Sequence, residues 1–252
     1  MKMDQVAVQM YTLRQHATED LDGTLWRLSD IGYKKVEFAG FYDNAAEDVA
    51  AMLERHDLTA PAAHIPYARF ESEFDNVIAD AQAVGLEWAI VPSLPRREID
   101  EGLAQEYISK LNSFALLAEE AGLKFAYHNH AFEFENEYGD GTTFFDRLAA
   151  GTDPDKVKLE LDAFWVNRGG FDPARILRDH GDRVRLVHLK DAARGHADSD
   201  IPFGEGALDW EAILGAADAA GVEYYVVEQD NPGDAFEDVT VALRNAEKWS
   251  ES

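Results

Sequence analysis

Apolar and polar positions follow two alternating rhythms along this chain. Segments with apolar residues every third or fourth position, such as Leu21, Leu25 and Leu28 or Ile108, Leu111, Ala115 and Ala118, form one apolar face and predict helices. After such segments comes a glycine or turn and then a short β-rich run: IGYKKVEF (31–38), VGLEWAIV (84–91), AGLKFAYH (121–128) and AGVEYYVV (220–227). HDLTAPAAH (56–64) and HGDRVRLVH (180–188) are variants of the same unit. A glycine just past a helix suits the left-handed C-cap, which a side chain disfavours. QVAVQMY (5–11) opens the series, and VKLELDAF (157–164) supplies its sixth strand. Strands are therefore predicted over 5–11, 34–39, 59–64, 87–92, 123–128, 157–162, 184–189 and 223–228, with a last helix from about Asp234 to Trp249. Strands separated by helices imply parallel pairing with helical crossovers. Eight units in 252 residues predict an α/β fold of the (β/α)8 TIM-barrel type in place of an open doubly wound sheet. No G-x-G-x-x-G follows the first strand, which removes the main support for a dinucleotide fold. No Pro/Gly/Ser linker divides the chain, so one domain over 1–252 is expected.

Composition narrows the chemistry. With no cysteine, the chain has no disulfide framework, thiolate zinc site, iron–sulfur cluster or cysteine nucleophile. The 49 acidic residues against 23 Lys plus Arg give a formal charge of −26, spread along the chain. Such a surface repels polyphosphate and anionic lipid, so neither nucleic acid nor membrane is an expected partner. Dense carboxylates also fit adaptation to high salt, where ions screen their repulsion. The opening MKMDQVAVQMYTLR lacks the basic stretch and long apolar region of a signal peptide, and no run of eighteen apolar residues exists, so a cytoplasmic location is the expectation. A homo-oligomer is left open.

The strand ends carry the candidate chemistry. Buried parallel strands should be apolar runs, and barrel active sites form where polar groups interrupt them at the carboxyl ends. Here those ends carry Gln9 and Tyr11, Glu37, His64, His128 and His130 with Glu133, Asp162, His188 with Lys190, and Glu228 with Asp230. A lone strand-end histidine is usually a satisfied structural group, but seven polar ends of eight are harder to dismiss as packing. Strands five to eight each offer a hard or borderline ligand to one rim. Three carboxylates and an imidazole suit one divalent ion, Mn²⁺, Zn²⁺, Mg²⁺ or Co²⁺, with positions left for substrate oxygens. Without that ion the carboxylates would repel one another.

At these residues the chain resembles the xylose isomerase-like TIM barrel superfamily, the sugar phosphate isomerase/epimerase group. The motifs are Y-H-N-H-x-x-E-F (127–134), L-D-x-x-W (161–165), V-H-L-K-D (187–191), P-F-G-E-G-x-L-D-W (202–210) and V-V-E-Q-D (226–230). The resemblance implies the metal ligands Glu133, Asp162, His188 and Glu228. Many relatives carry the first of these carboxylates where this chain has His128, so either Glu133 reaches back from the following loop or His128 or His130 takes the position. It also implies proton transfer next to a carbonyl of a small sugar-like substrate through an enediolate, hence an isomerase or epimerase. Glu133 and Glu228 are then the candidate acid–base pair. His128 and His130 project to one side of an extended backbone and are further acid–base candidates. The same site design serves a lyase that enolises a keto-inositol or 3-keto sugar and expels a hydroxyl.

Other candidates have both a functional and a bland reading. Lys190, two residues past His188, either contacts a substrate oxygen or pairs with a rim carboxylate. Trp165 either stacks on a sugar face or packs in the core, and His64 is a substrate-hydroxyl candidate or a structural group. Glu37 either contacts substrate or pairs with Arg14, and Glu205 lies in a Gly-flanked loop that either closes over substrate or merely precedes a helix capped by Asp209. Three further readings compete: an endonuclease IV-like enzyme, weakened by the charge of −26; a non-catalytic sugar-binding barrel; and a metal-free retaining glycosidase.

Overall fold

The eight β-rich runs close into one barrel in the computed structural model, which describes residues 1–251. In chain order the strands are β1 (Val6–Gln9), β2 (Lys35–Ala39), β3 (Thr59–His64), β4 (Trp88–Val91), β5 (Lys124–His128), β6 (Val157–Asp162), β7 (Val184–Leu189), β8 (Asp191–Ala193), β9 (His196–Ile201) and β10 (Tyr224–Val227). The barrel runs β1-β10-β7-β6-β5-β4-β3-β2 and closes on itself, every neighbour parallel. β8 and β9 form a separate antiparallel hairpin that the sequence pattern did not predict.

The predicted helices lie between the strands. Leu21–Ile31 buries Leu21, Leu25 and Leu28; Glu101–Glu120 buries Ile108, Leu111, Ala115 and Ala118; the final helix, Ala235–Ser250, is capped by the Asp234 carboxylate. Gly85 (φ 81°) and Gly221 (φ 74°) end their helices in the left-handed conformation. A side chain there would press against the next carbonyl, which is why glycine stands at both. Asp209 caps the helix Trp210–Ala220 through the amide of Ala212.

Helix faces and the outward strand residues form the main core, while a small second cluster, Ala62, Trp88, Ile90, Ala126 and Leu186, fills the inside of the barrel. Above that plug, toward the carboxyl ends, the interior turns polar. Gln9, Glu37, His64, His128, Glu160, Asp162 and His188 are all buried there. Strand alternation and register cause this. Glu160 and Asp162 are two apart on β6 and so point the same way. Pairing sets His128 beside Glu160, Asp162 beside His188, and Gln9 beside Glu37. β1 stops at Gln9, short of the predicted Tyr11, because the Tyr11 amide donates to Gln9 Oε1 and a 3-10 turn, Met10–Leu13, begins. Among the described residues no helix is long and apolar enough to cross a membrane.

Candidate metal centre

Three ligand-competent side chains distant in sequence meet at the carboxyl rim. Asp162 ends β6, His188 lies one residue before the end of β7, and Glu228 directly follows β10. One atom of each lies within 4.8 Å of the other two, and all three are buried. His188 Nδ1 is 2.8 Å from Glu228 Oε2 and 3.9 Å from Asp162 Oδ2. Asp162 Oδ1 caps the next short helix at the Trp165 amide, 2.9 Å away, which turns Oδ2 toward the rim. Oδ2 is buried and accepts no well-aligned hydrogen bond.

Lys190 brings the countercharge. Its ammonium stands 2.9 Å from Asp162 Oδ2, 2.7 Å from Glu228 Oε2 and 2.9 Å from Asp230 Oδ2. Burial opposes its charge, but these three carboxylates outweigh burial and hold its pKa well above the usual lysine value. Burial likewise opposes the charge on Glu228, and Lys190 and His188 overcome it to hold the carboxyl well below the ordinary range.

A second group of buried ligand-competent atoms shares His188: His64, His128, Glu160 and His188. Three imidazole nitrogens converge on Glu160 Oε2, with His64 Nε2 at 2.6 Å, His128 Nδ1 at 2.9 Å and His188 Nε2 at 3.2 Å. Burial disfavours ionised Glu160, but His188 and His64 reverse this and hold it well below its usual value. Glu37 completes the layer: its Oε1 accepts from Gln9 Nε2 at 2.6 Å and lies 3.1 Å from His188 Nε2. Burial, helped by Glu160, pushes the Glu37 carboxyl up to about 7.

Over these layers opens a cleft of about 560 Å³, lined among others by Tyr11, His64, Arg97, His130, Trp165 and Asp230. His130 is desolvated, which pulls it well below the normal histidine value, and its Nδ1 has no hydrogen-bond partner. Burial pulls His128 down to about 4. Both imidazoles are therefore neutral near pH 7. Trp165 packs against His130 with ring centroids 5.4 Å apart and is half-buried at the cleft wall.

The other predicted residues separate by location. Glu133 is fully buried but turned away: Tyr127 Oη donates to its Oε1 at 2.5 Å and the His130 amide to its Oε2 at 2.8 Å. It belongs to neither group of converging ligand atoms. Both of its oxygens are engaged because the short helix Phe132–Glu135 folds the loop back onto β5. Glu37 does not pair with Arg14, whose guanidinium instead donates to the carbonyls of Tyr11 and Asp230. Glu205 reaches Asn245 on the last helix, and its loop is fastened from beneath by Asp191. The Asp191 carboxylate accepts from the amides of Gly204, Gly206 and Leu208 and from Trp210 Nε1. Glu160 went unnoticed in the sequence. Its signal was the i, i+2 step back from Asp162, which places a second acid on the same inward face of a strand that should be apolar.

The donor set fits a divalent ion: an imidazole nitrogen and two carboxylates, all buried and converging.

Comparison with known proteins agrees with the fold. The chain is 27% identical over 202 residues to an inosose dehydratase of Geobacillus kaustophilus, a match covering 71% of this chain and 64% of that relative, so it spans less than two thirds of its length. It superposes with a TM-score of 0.79 on a sugar phosphate isomerase/epimerase from Parabacteroides distasonis, at 26% identity, covering 95% of this chain and 92% of the other. IolI, a protein whose structure holds a zinc atom, shares the fold with a TM-score of 0.78 at 18% identity, covering 98% of each chain. A profile of the xylose isomerase-like TIM barrel family matches residues 26–251, and the chain belongs to that family.

Proposed function

We propose that this protein is a divalent-metal-dependent lyase that enolises a small keto-polyol, of the keto-inositol or 3-keto sugar class, and eliminates water from it. The observation carrying the reading is the convergence of the buried Asp162, His188 and Glu228 at the carboxyl rim of the barrel. Imidazole with carboxylate favours Zn²⁺, Mn²⁺ or Co²⁺ over Mg²⁺. When bound, such an ion polarises a substrate carbonyl and stabilises the negative charge that develops on its oxygen.

The chain's own residues do the rest. Trp165 offers a flat apolar face at the cleft wall for one side of the ring. His130, neutral and lining the cleft, accepts the proton next to the carbonyl. The C–H electron pair becomes the new C=C bond as the β-hydroxyl departs, and the His130 proton goes to that hydroxyl, which leaves as water. One imidazole serving both steps fits a site with a single face of acid–base groups. Lys190 keeps Asp162, Glu228 and Asp230 from repelling one another.

An epimerase or isomerase is the second reading, favoured by the likeness to the Parabacteroides distasonis protein. It needs a second acid–base group across the ring from the first, and Glu133, the sequence candidate, has both oxygens occupied elsewhere. That occupation favours the elimination reading.

The test is incubation of metal-loaded protein with ketoses, keto-inositols and 3-keto glycosides in D₂O. Loss of one water from a keto-inositol or 3-keto glycoside is expected. Deuterium at one carbon without loss of water would instead establish the epimerase reading, and no change in any substrate would overturn both.

A further inference from the structure

Resting on the reading above and narrowing its substrate, we infer that the keto-polyol carries a negatively charged group, a carboxylate or a phosphate, and that Arg14 and Arg97 on the cleft wall bind it. Over the whole chain acids outnumber Lys plus Arg by 49 to 23. Along the cleft that balance inverts. Its lining includes two guanidiniums, Arg14 and Arg97, and one carboxylate, Asp230, which the Lys190 ammonium already engages at 2.9 Å. In a molecule so rich in carboxylates, such a wall draws a small anion to a place where the rest of the surface repels it. The cleft volume of about 560 Å³ is of the size that takes a small molecule.

Arg14 is held in place but not neutralised. Its Nη1 donates to the Tyr11 carbonyl at 2.8 Å and its Nη2 to the Asp230 carbonyl at 2.9 Å. The guanidinium also lies over the Tyr11 ring, 4.3 Å from the centroid. The Asp230 carbonyl is itself anchored, because the Asp200 carboxylate accepts from the amides of Asp230 and Asn231. Both acceptors of Arg14 are uncharged, so its positive charge stays available in a half-buried position. Three of its five N–H groups remain for a ligand, in the planar fork that matches the oxygens of a carboxylate or phosphate. Arg97, in the segment after β4, stands over the Phe132 ring at 5.4 Å. Lys190, the other cation close by, is taken up by Asp162, Glu228 and Asp230.

The test reads binding, not turnover. Isothermal titration of the full Zn²⁺-loaded chain compares sorbitol, gluconate and sorbitol 6-phosphate, open-chain polyols that differ in their charged group. At least one acid should bind about tenfold tighter than sorbitol or better, the worth of one charge-assisted hydrogen bond. Which acid does so identifies the group. Arg14→Gln should remove most of that preference, and the more exposed Arg97→Gln should lower it about threefold. Equal affinity for all three polyols, or none for any, overturns the inference. So does a preference that both variants leave intact, which is what an acid bound to the zinc alone would give. Should Arg14→Gln not fold, the wild-type comparison and Arg97→Gln decide. Equal affinities in a chain that dehydrates a neutral keto-inositol remove this inference alone. An acid preference lost in Arg14→Gln, in a chain that dehydrates no keto-polyol, supports the anion site and removes the lyase reading.

Discussion

The two ends of the barrel settle their charged and polar groups differently. At the amino ends, Lys124 pairs with Glu223 at 2.8 Å and Tyr224 donates to Glu87, both at solvent-exposed sites, and the buried Trp88 reaches Glu223 through Nε1. Arg183 there is buried, but its guanidinium is filled by the Ala149 and Val157 carbonyls and the Thr152 hydroxyl. At the carboxyl ends, the acids Glu37, Glu160, Asp162 and Glu228 and the imidazoles of His64, His128 and His188 crowd a buried layer, and Glu37 Oε2 and Glu160 Oε1 lack hydrogen-bond donors. One end satisfies its polar groups; the other holds some in reserve. That division matches the barrel rule that stability lies at the amino face and chemistry at the carboxyl face.

Variants can break this contrast. Asp162→Ala and His188→Ala should each abolish turnover and lose divalent metal by more than the 10–100-fold, roughly, typical of groups that only orient ligands, while circular dichroism remains native. Stoichiometric metal in both would erase the proposed distinction between the ends. Lys190→Met should follow. Removing the cation among Asp162, Glu228 and Asp230 is expected to destabilise metal-free protein by about 3–5 kcal/mol, and metal-loaded protein by much less. Equal shifts in denaturant midpoints with and without metal would mean that the lysine and the ion do not share this charge-balancing role.

Glu133 sharpens the comparison through pH. Burial raises its carboxyl to about 7 from an ordinary 4.5, so between those values the folded chain holds a proton that the unfolded chain has released. Its contribution is therefore fully present below the ordinary value and is lost as pH rises toward 7, by about 3 kcal/mol at most. Glu133→Gln should remove that decline, read as a flatter stability profile from pH 5 to 8; an unchanged profile would refute the burial argument. The smallest effect is expected at the other end. Lys124→Ala should cost less than about 1 kcal/mol and leave turnover and metal affinity unchanged, because its pair with Glu223 is exposed.

How much of this was readable in advance follows the same physics. The strands were legible because each is a short buried run after a helix and its cap, and the errors were a residue or two at the ends. The hairpin Asp191–Ala193 with His196–Ile201 was not, since DAARGHADSDI has no apolar alternation. The Asp200 carboxylate, accepting from the amides of Asp230 and Asn231, helps fix its far end. Asp162, His188 and Glu228 could be singled out because strand ends in a barrel point at one rim. The direction of Glu133 was not legible, because a loop side chain has no period to fix it. Glu160 was legible in principle, but it sits mid-strand, where an apolar residue was expected.

The Asp191 carboxylate has one more implication. A methyl group at Gly206 would lie 2.2 Å from Asp191 Oδ1 and 2.4 Å from the Ala192 carbonyl, so this junction admits no side chain. The FGEG segment is thus riveted to the start of the hairpin, a fixed doorpost and not a hinged door. The cleft itself is lined by other segments, with Tyr11, Pro92 and Arg97 among their residues.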